Sequence, residues 1–370
     1  MTLGQLNPGG SDAGTPGGED PRNVANLQAA GVLDNAEASI EMREVEGLSL
    51  GRIVLRRFLR HRAAMASLIL LLIVIVFAFS SEGIDAFGIR LPGWWRWDYA
   101  AVPDVINQGR PTLSLVPLNW GIHPFGQDSV GHDMFAQVMR GTQQSLMIVF
   151  VAGIVSTVIG VTLGAAAGYF GGWIDSLLMR ATDIFIIVPL YLIAAIVGHT
   201  LVGAGSVVLA IFLGVLVWTT LARLVRGEVL ALREREFVEA AKVAGASDFR
   251  IVFRHILPNT VGVIVVSATL TMSATILTEA AISFLGFGVR APDTSLGLII
   301  SNYQSAFSTR PWLFWWPGLF IVIIALTINF IGDGLRDAFD PRQRRGLNRR
   351  ARRERALAVD HVPEPVGSES

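Results

Sequence analysis

The sequence predicts an all-α integral membrane protein with six transmembrane helices and both termini in the cytoplasm. Three observations carry this. Over 370 residues the chain is 52% hydrophobic and only 16% charged, with a mean hydropathy of +0.51, whereas soluble domains run near about 25% charged. Its uncharged windows match the thickness of a bilayer. Its arginines gather beside alternate ends of those windows.

A bilayer core about 30 Å thick needs about 20 apolar residues of helix. Residues 1–47, rich in Gly, Pro, Asp, Glu and Asn without apolar periodicity, are expected to form a disordered cytoplasmic tail. Residues 48–140 hold an anchor helix over Ala63–Ser81, between Arg62 and Glu82, followed by an extracytoplasmic segment. The first apolar run begins only at Ala63, so it is expected to act as an uncleaved anchor. Trp94, Trp95, Trp97 and Trp120 in the following segment are read as anchors at the membrane interface, ahead of a ligand-stacking role.

Five further spans fall within residues 141–335. Of the uncharged stretch Gly141–Ile174, Ser145–Gly168 is apolar enough to cross, and its Gly153, Ser156, Gly160, Gly164, Ala165 and Gly168 recur close to four apart. Such a stripe fits tight helix packing, at a subunit interface or along a pore. Ile184–Ala222 is nearly two bilayers long and is interrupted at Gly198–Gly205, so it reads as two helices and a turn, with His199 solvated there. Pro189 is expected to kink the first of them. Ile256–Thr278 and Pro311–Gly332 complete the set.

Arginine near span ends sets orientation. Arg52, Arg56, Arg57, Arg60 and Arg62 precede the first span, seven Arg or Lys lie between spans four and five, and nine arginines follow the sixth. Both termini are therefore cytoplasmic, as an even number of crossings requires. The tail over 336–370 reads as a topology signal ahead of a headgroup-binding one.

Several chemistries are excluded. Cysteine is absent, which removes disulfide scaffolds, thiolate metal sites and cysteine nucleophiles. The single lysine, Lys242, follows Ala241, so no phosphate-binding Gly-Lys-Ser/Thr loop exists. No two histidines stand four apart, and no Gly-x-Ser-x-Gly elbow occurs. No catalytic, cofactor or metal residues are assigned, and nucleic acid is not expected as a partner.

Among polar residues near the spans, Glu279 is an intramembrane carboxylate and so a functional candidate, although a place at the outer interface, bound to backbone or a partner subunit, is the preferred reading. Arg180 and Asp183 are three apart and suited to pairing. With Asp175, Pro189 and Pro258 they form the structural or gating candidates.

The stretch from 233 to 258 is too long and too apolar for a linker. A helix-forming run reaches Ala244 and stops at Gly245, a second amphipathic piece carries Phe249, Ile251, Val252 and Phe253, and Pro258 opens the next span. This reads as an exposed helix–turn–helix built to dock into a partner.

Glu239-Ala240-Ala241, three residues, Gly245, then nine residues to His255-Ile256-Leu257-Pro258 resembles the EAA loop of bacterial ABC importer permeases of type I. His255 stands where the family commonly has Ile, and His-Ile-Leu-Pro-Asn looks like the peptide-importer, DppC/OppC-type branch. His123–Asp133, Gly171–Asp183 and Glu279–Gly288 resemble the same branch, in its order and spacing. His132 and Leu296 depart from it, at positions on the outer side where Arg and Trp are common.

The resemblance implies a coupling loop, seated in a cleft of an ATPase subunit and made of Glu239, Ala240, Ala241, Ala244, Gly245 and Asp248. The short side chains would permit close approach, and Glu239 would pair with a partner arginine. It further implies a second homologous permease, two ATPase subunits that bind the ATP and Mg, an extracytoplasmic binding protein, and a dipeptide or oligopeptide cargo. A nickel or other small-solute importer is the alternative within the family, and an ion-coupled secondary transporter the one outside it.

Overall fold

The computed structural model describes residues 50–86, 89–200 and 205–340. The expected disordered stretch 1–47, the tail beyond 340, the centre of the turn at 201–204 and the side chain of His199 lie outside the described residues.

Twelve α-helices organise the described residues: α1 (Leu50–Arg60), α2 (Arg62–Glu82), α3 (Met134–Phe170), α4 (Gly172–Ile187), α5 (Leu190–Thr200), α6 (Ser206–Val217), α7 (Thr219–Arg233), α8 (Glu236–Val243), α9 (Asp248–Arg250), α10 (Leu257–Phe284), α11 (Leu296–Tyr303) and α12 (Trp312–Phe339). Four stretches are long and apolar enough to cross a membrane: α2, α3, the continuous run Asp248–Phe284, and α12. Two bent pairs raise the number to six if each is one span. One is α4 with α5, bent by 79° at a break that contains Pro189, and the other is α6 with α7, bent by 46° at Trp218. The ring of Pro189 removes a backbone donor, which accounts for the first break.

The expectation of an all-α chain needs one correction. Two short antiparallel hairpins, β1 (Gly83–Ala86) with β2 (Ile89–Pro92) and β3 (Ser114–Leu115) with β4 (Leu118–Asn119), lie between α2 and α3. Strands this short carry no hydrophobic alternation to read.

Helix α3 is 37 residues, roughly 55 Å at 1.5 Å per residue, so it joins a hairpin end of the bundle to a loop end. Its glycine stripe faces inside the chain, not a subunit interface or a pore. An ideal Cβ on Gly160 would lie 3.0 Å from Leu221 Cβ, on Gly164 2.5 Å from Ala222 O, and on Gly168 2.8 Å from Arg226 O, all on α7; Gly153 faces Met272 of α10 instead. In a bilayer no hydrophobic driving force presses helices together, so close backbone approach through small residues supplies the attraction. The seam between α3 and α7 is such an approach.

At the hairpin end Leu71, Val74, Met134, Phe135, Val138, Ile276, Leu296, Phe320 and Ile324 share one apolar core. At the loop end Tyr169, Leu221, Val225, Val229, Val238, Ile251, Val252 and Ile256 share another. Pro258 does not break the chain into a new helix. It sits in the first turn of α10, and the preceding Ile251–Ile256 widens into a π-helical segment, which absorbs the missing donor and the crowding of the ring.

If the seam holds the bundle, Gly164→Val forces a branched side chain against Ala222 O. It should lower the melting temperature of the purified protein by an amount corresponding to about 1–3 kcal/mol. Gly227→Ala, on the open side of α7 with nothing within 4 Å, should leave it unchanged or slightly raised. Equal melting behaviour of the two variants in thermal unfolding would contradict the seam.

Candidate functional site

The loop between α7 and α10 is assembled from local rules. Glu236 and Glu239 stand in the first turn of α8, where a carboxylate faces the positive end of the helix dipole. The helix ends in a Schellman motif: Ala246 N–H donates to Ala241 O at 3.0 Å and Gly245 N–H to Lys242 O at 2.9 Å. That motif needs a left-handed residue, and Gly245 has φ +77°, with nothing within 4 Å of the point a Cβ would occupy. The backbone thus calls for glycine at 245, and no other part of this chain presses on it. Ser247 then caps α9, accepting from Arg250 N–H, and the chain passes without a break into α10.

This loop is clamped to the end of α3. Tyr169 donates its hydroxyl to Asp248 Oδ1 at 2.6 Å, and Lys242 Nζ stands 6.0 Å from the centre of the same ring. Val238 is fully buried and Ala241 packs against the same core. The six expected docking residues therefore separate. Glu239, Ala240, Ala244, Gly245 and Asp248 are exposed, Asp248 also accepting from Tyr169, while Ala241 packs against the loop-end core. The free face also carries residues that the motif does not include: Val243 is 91% exposed, Phe249 71% and Phe253 51%. The rings of Phe249 and Phe253 lie 4.3 Å apart. Tyr169 had no sequence signal beyond an aromatic near a helix end.

Two of the structural candidates, Asp175 and Asp183, are held by α7. Arg226 forms a two-pronged pair with Asp175, Nε to Oδ1 at 2.5 Å and Nη2 to Oδ2 at 2.6 Å. Asp183 takes Arg223 Nη2 at 2.6 Å, and its expected partner Arg180 is a more distant second at 3.7 Å. A helical i,i+3 pair between exposed side chains yields here to a closer cation on the facing helix. Arg233 donates to Tyr169 O at 3.1 Å and Gly168 O at 3.4 Å, satisfying carbonyls left open at the end of α3. Gly171 and Gly172, with φ +67° and +55°, form the turn that brings Asp175 under Arg226.

Glu279 is neither at an open interface nor bound to backbone. It is fully buried and accepts from Ser145 Oγ at 2.9 Å and Ser283 Oγ at 2.8 Å. A carboxyl in an apolar bundle requires such partners, and here they come from within the chain. Leu296 is likewise buried in the core, its N–H directed to Ser145 Oγ, so it offers no outer surface.

At the hairpin end two buried carboxylates tie the loop before α3. Asp133 caps α3 through Ala136 N–H at 2.9 Å, and takes Trp95 Nε1 at 2.8 Å and His123 Nδ1 at 2.7 Å. Burial pushes its carboxyl above the usual range despite those hydrogen bonds. Asp128 accepts from His132 Nδ1 and Tyr303 hydroxyl, both at 2.8 Å, and from Gly131 N–H at 2.7 Å. Burial acts upward on it too, but these donors outweigh it and hold the carboxyl below its usual value. Trp95 and Trp97 are thus packing residues, Trp97 stacked on His123, whereas Trp94 and Trp120 remain exposed.

Residues 160–345 match the family described as binding-protein-dependent transport system inner membrane component, and residues 49–90 match the N-terminal TM domain of oligopeptide transport permease C. The chain belongs to this family of membrane transport components. Among its relatives, the oligopeptide transport system permease protein OppC of Mycobacterium tuberculosis is 38% identical over 79% of this chain and 94% of its own length. The protein of that name in Escherichia coli K12 is 38% identical over 82% of this chain and 95% of its own. The solved MetNI methionine ABC transporter, inward facing, aligns with a TM-score of 0.46 at 23% identity, over 56% of this chain and 98% of that one.

Tyr169→Phe removes one hydrogen bond to a charged acceptor, worth about 1.5–3 kcal/mol. Amide exchange across residues 236–250 should quicken roughly tenfold or more, with α3 still protected. Unchanged protection in exchange mass spectrometry would show that Tyr169 does not hold the loop.

Proposed function

We propose that the chain is one permease subunit of an ATP-driven ABC importer for oligopeptides in a bacterial inner membrane. It forms the translocation path with a second, homologous permease. Two ATPase subunits bind ATP and Mg on the cytoplasmic side, this chain holding no cofactor, and an extracytoplasmic binding protein delivers the cargo. The oligopeptide assignment is supported by the two OppC relatives, each aligned over nearly its full length. Six spans, with the two bent pairs each crossing once and both termini inside, fit the arginine distribution and place the α8 loop in the cytoplasm.

The observation that carries the reading is the loop itself. Glu239, Ala240, Val243, Ala244 and Gly245 present a small, exposed surface on a piece of chain otherwise fixed to α3 by Val238, Asp248 and Tyr169. A surface both free to dock and rigidly attached behind suits the transfer of movement from an ATPase to the membrane helices. The loop, α3 and α7 then move as one body, with the Asp175–Arg226 and Asp183–Arg223 pairs carrying that movement to α4.

Glu239→Lys and Gly245→Leu should leave membrane insertion intact and permit ATP hydrolysis, while peptide uptake in reconstituted vesicles falls roughly tenfold or more, the equivalent of about 1.4 kcal/mol of coupling. Gly245→Asn, which tolerates a left-handed backbone, should retain more uptake than Gly245→Leu. Normal uptake by Glu239→Lys and Gly245→Leu alike would overturn the proposed coupling role.

A further inference from the structure

Helix α1 presents a surface that the transport reading leaves unused. Its inner side is fixed to the bundle. Phe58 is buried with Ala64 and Ala338, and Arg57 Nη1 donates to Ala338 O at 3.4 Å and Asp340 O at 3.3 Å, capping the end of α12. One residue, His61, separates α1 from α2. Its backbone is extended, its Nδ1 accepts from Ala64 N–H at 3.1 Å, and its Nε2 lies 3.3 Å from Asp337 Oδ2. The chain therefore turns there, and α1 is not a continuation of the span.

The outer side of α1 carries two adjacent stripes. Leu55 and Leu59, four apart, are 57% and 53% exposed, and Arg56 and Arg60, also four apart, are exposed beside them. Gly47–Ser81 contains no Asp or Glu, against five arginines. An apolar stripe flanked by a cationic one, held at the mouth of a membrane-spanning helix, has the chemistry of an interfacial helix. The leucines suit the acyl boundary, and the arginines suit phosphate at headgroup height, reached by their long stems.

We propose that α1 lies in the membrane interface on the side of the termini and binds anionic phospholipid, with Leu55 and Leu59 seated in the acyl boundary and Arg56 and Arg60 on the headgroups. Because Arg57 ties the same helix to the end of α12, the lipid contact bears directly on the last helix of the bundle. The match over residues 49–90 names a membrane-spanning domain and assigns no lipid site.

The absence of cysteine makes the test direct. A single Leu59→Cys in the full-length chain is labelled with an environment-sensitive fluorophore and reconstituted into phosphatidylcholine vesicles holding a minority of phosphatidylglycerol. A Val243→Cys label serves as the water-exposed reference. The expected result is blue-shifted emission at 59, quenched by lipid spin-labelled high on the acyl chain, and quenched several-fold more by spin-labelled phosphatidylglycerol than by spin-labelled phosphatidylcholine. Arg56→Gln with Arg60→Gln should abolish that preference, bringing the two quenchers to about equal effect. Water-like emission at 59 would overturn the proposal. So would a shielded label that lipid quenchers do not reach, since a protein would then cover the face, and so would equal quenching by the two lipids. Should the double variant fail to accumulate, the two quenchers compared on the unaltered arginines decide the matter.

Discussion

The close approach of α3 and α7 is the constraint on which the rest of the molecule depends. Gly160, Gly164 and Gly168 allow the two backbones to meet, and in an apolar solvent that proximity substitutes for the hydrophobic pressure available in water. Once α7 lies against α3, its arginines are placed in register. Arg226 meets Asp175, Arg223 meets Asp183, and Arg233 satisfies the last carbonyls of α3. The end of α3 then becomes a platform, with Tyr169 reaching Asp248 and the loop core closing over Val238.

The two ends of the bundle solve their polar problems differently. At the loop end, ion pairs between helices hold α4 to α7 and leave the outer face of α8 exposed. At the hairpin end, Asp128 and Asp133 draw in backbone and side-chain donors and fasten the segment before α3 to α11 and to the tryptophans after α2. Between them Glu279 is satisfied by two serines of its own chain. Each of these three buried carboxylates thereby has named donors, as the low dielectric of a helical bundle demands.

Much of this was legible in the sequence, and the misses have physical reasons. Uncharged windows located the long helices because bilayer thickness acts on length alone, and Pro189 marked a break because its ring removes a donor. Gly245 was legible as a stop because a helix C-terminus favours the positive φ that it adopts. What pattern does not carry is who faces whom. The glycine stripe announced close packing but not that its partner was α7. Asp183 stood three from Arg180, yet a facing-helix arginine lies closer. Asp248 and Ala241 belong to the motif, and the sequence gives no sign that Asp248 also accepts from Tyr169 or that Ala241 packs on the loop core. The hairpins and α11 are too short to impose a period.

The central claim is that the coupling loop and the α3–α7 seam move as one body when the ATPase closes. Spin labels at Glu236→Cys, on the loop helix but outside the docking residues, and Val158→Cys on the exposed side of α3 measure this by pulsed dipolar spectroscopy in the assembled importer. The account predicts one narrow distance distribution with the same mean in the nucleotide-free and ATP-bound states. A mean that shifts with nucleotide, or a distribution that broadens, would show the loop moving against α3 and would contradict it.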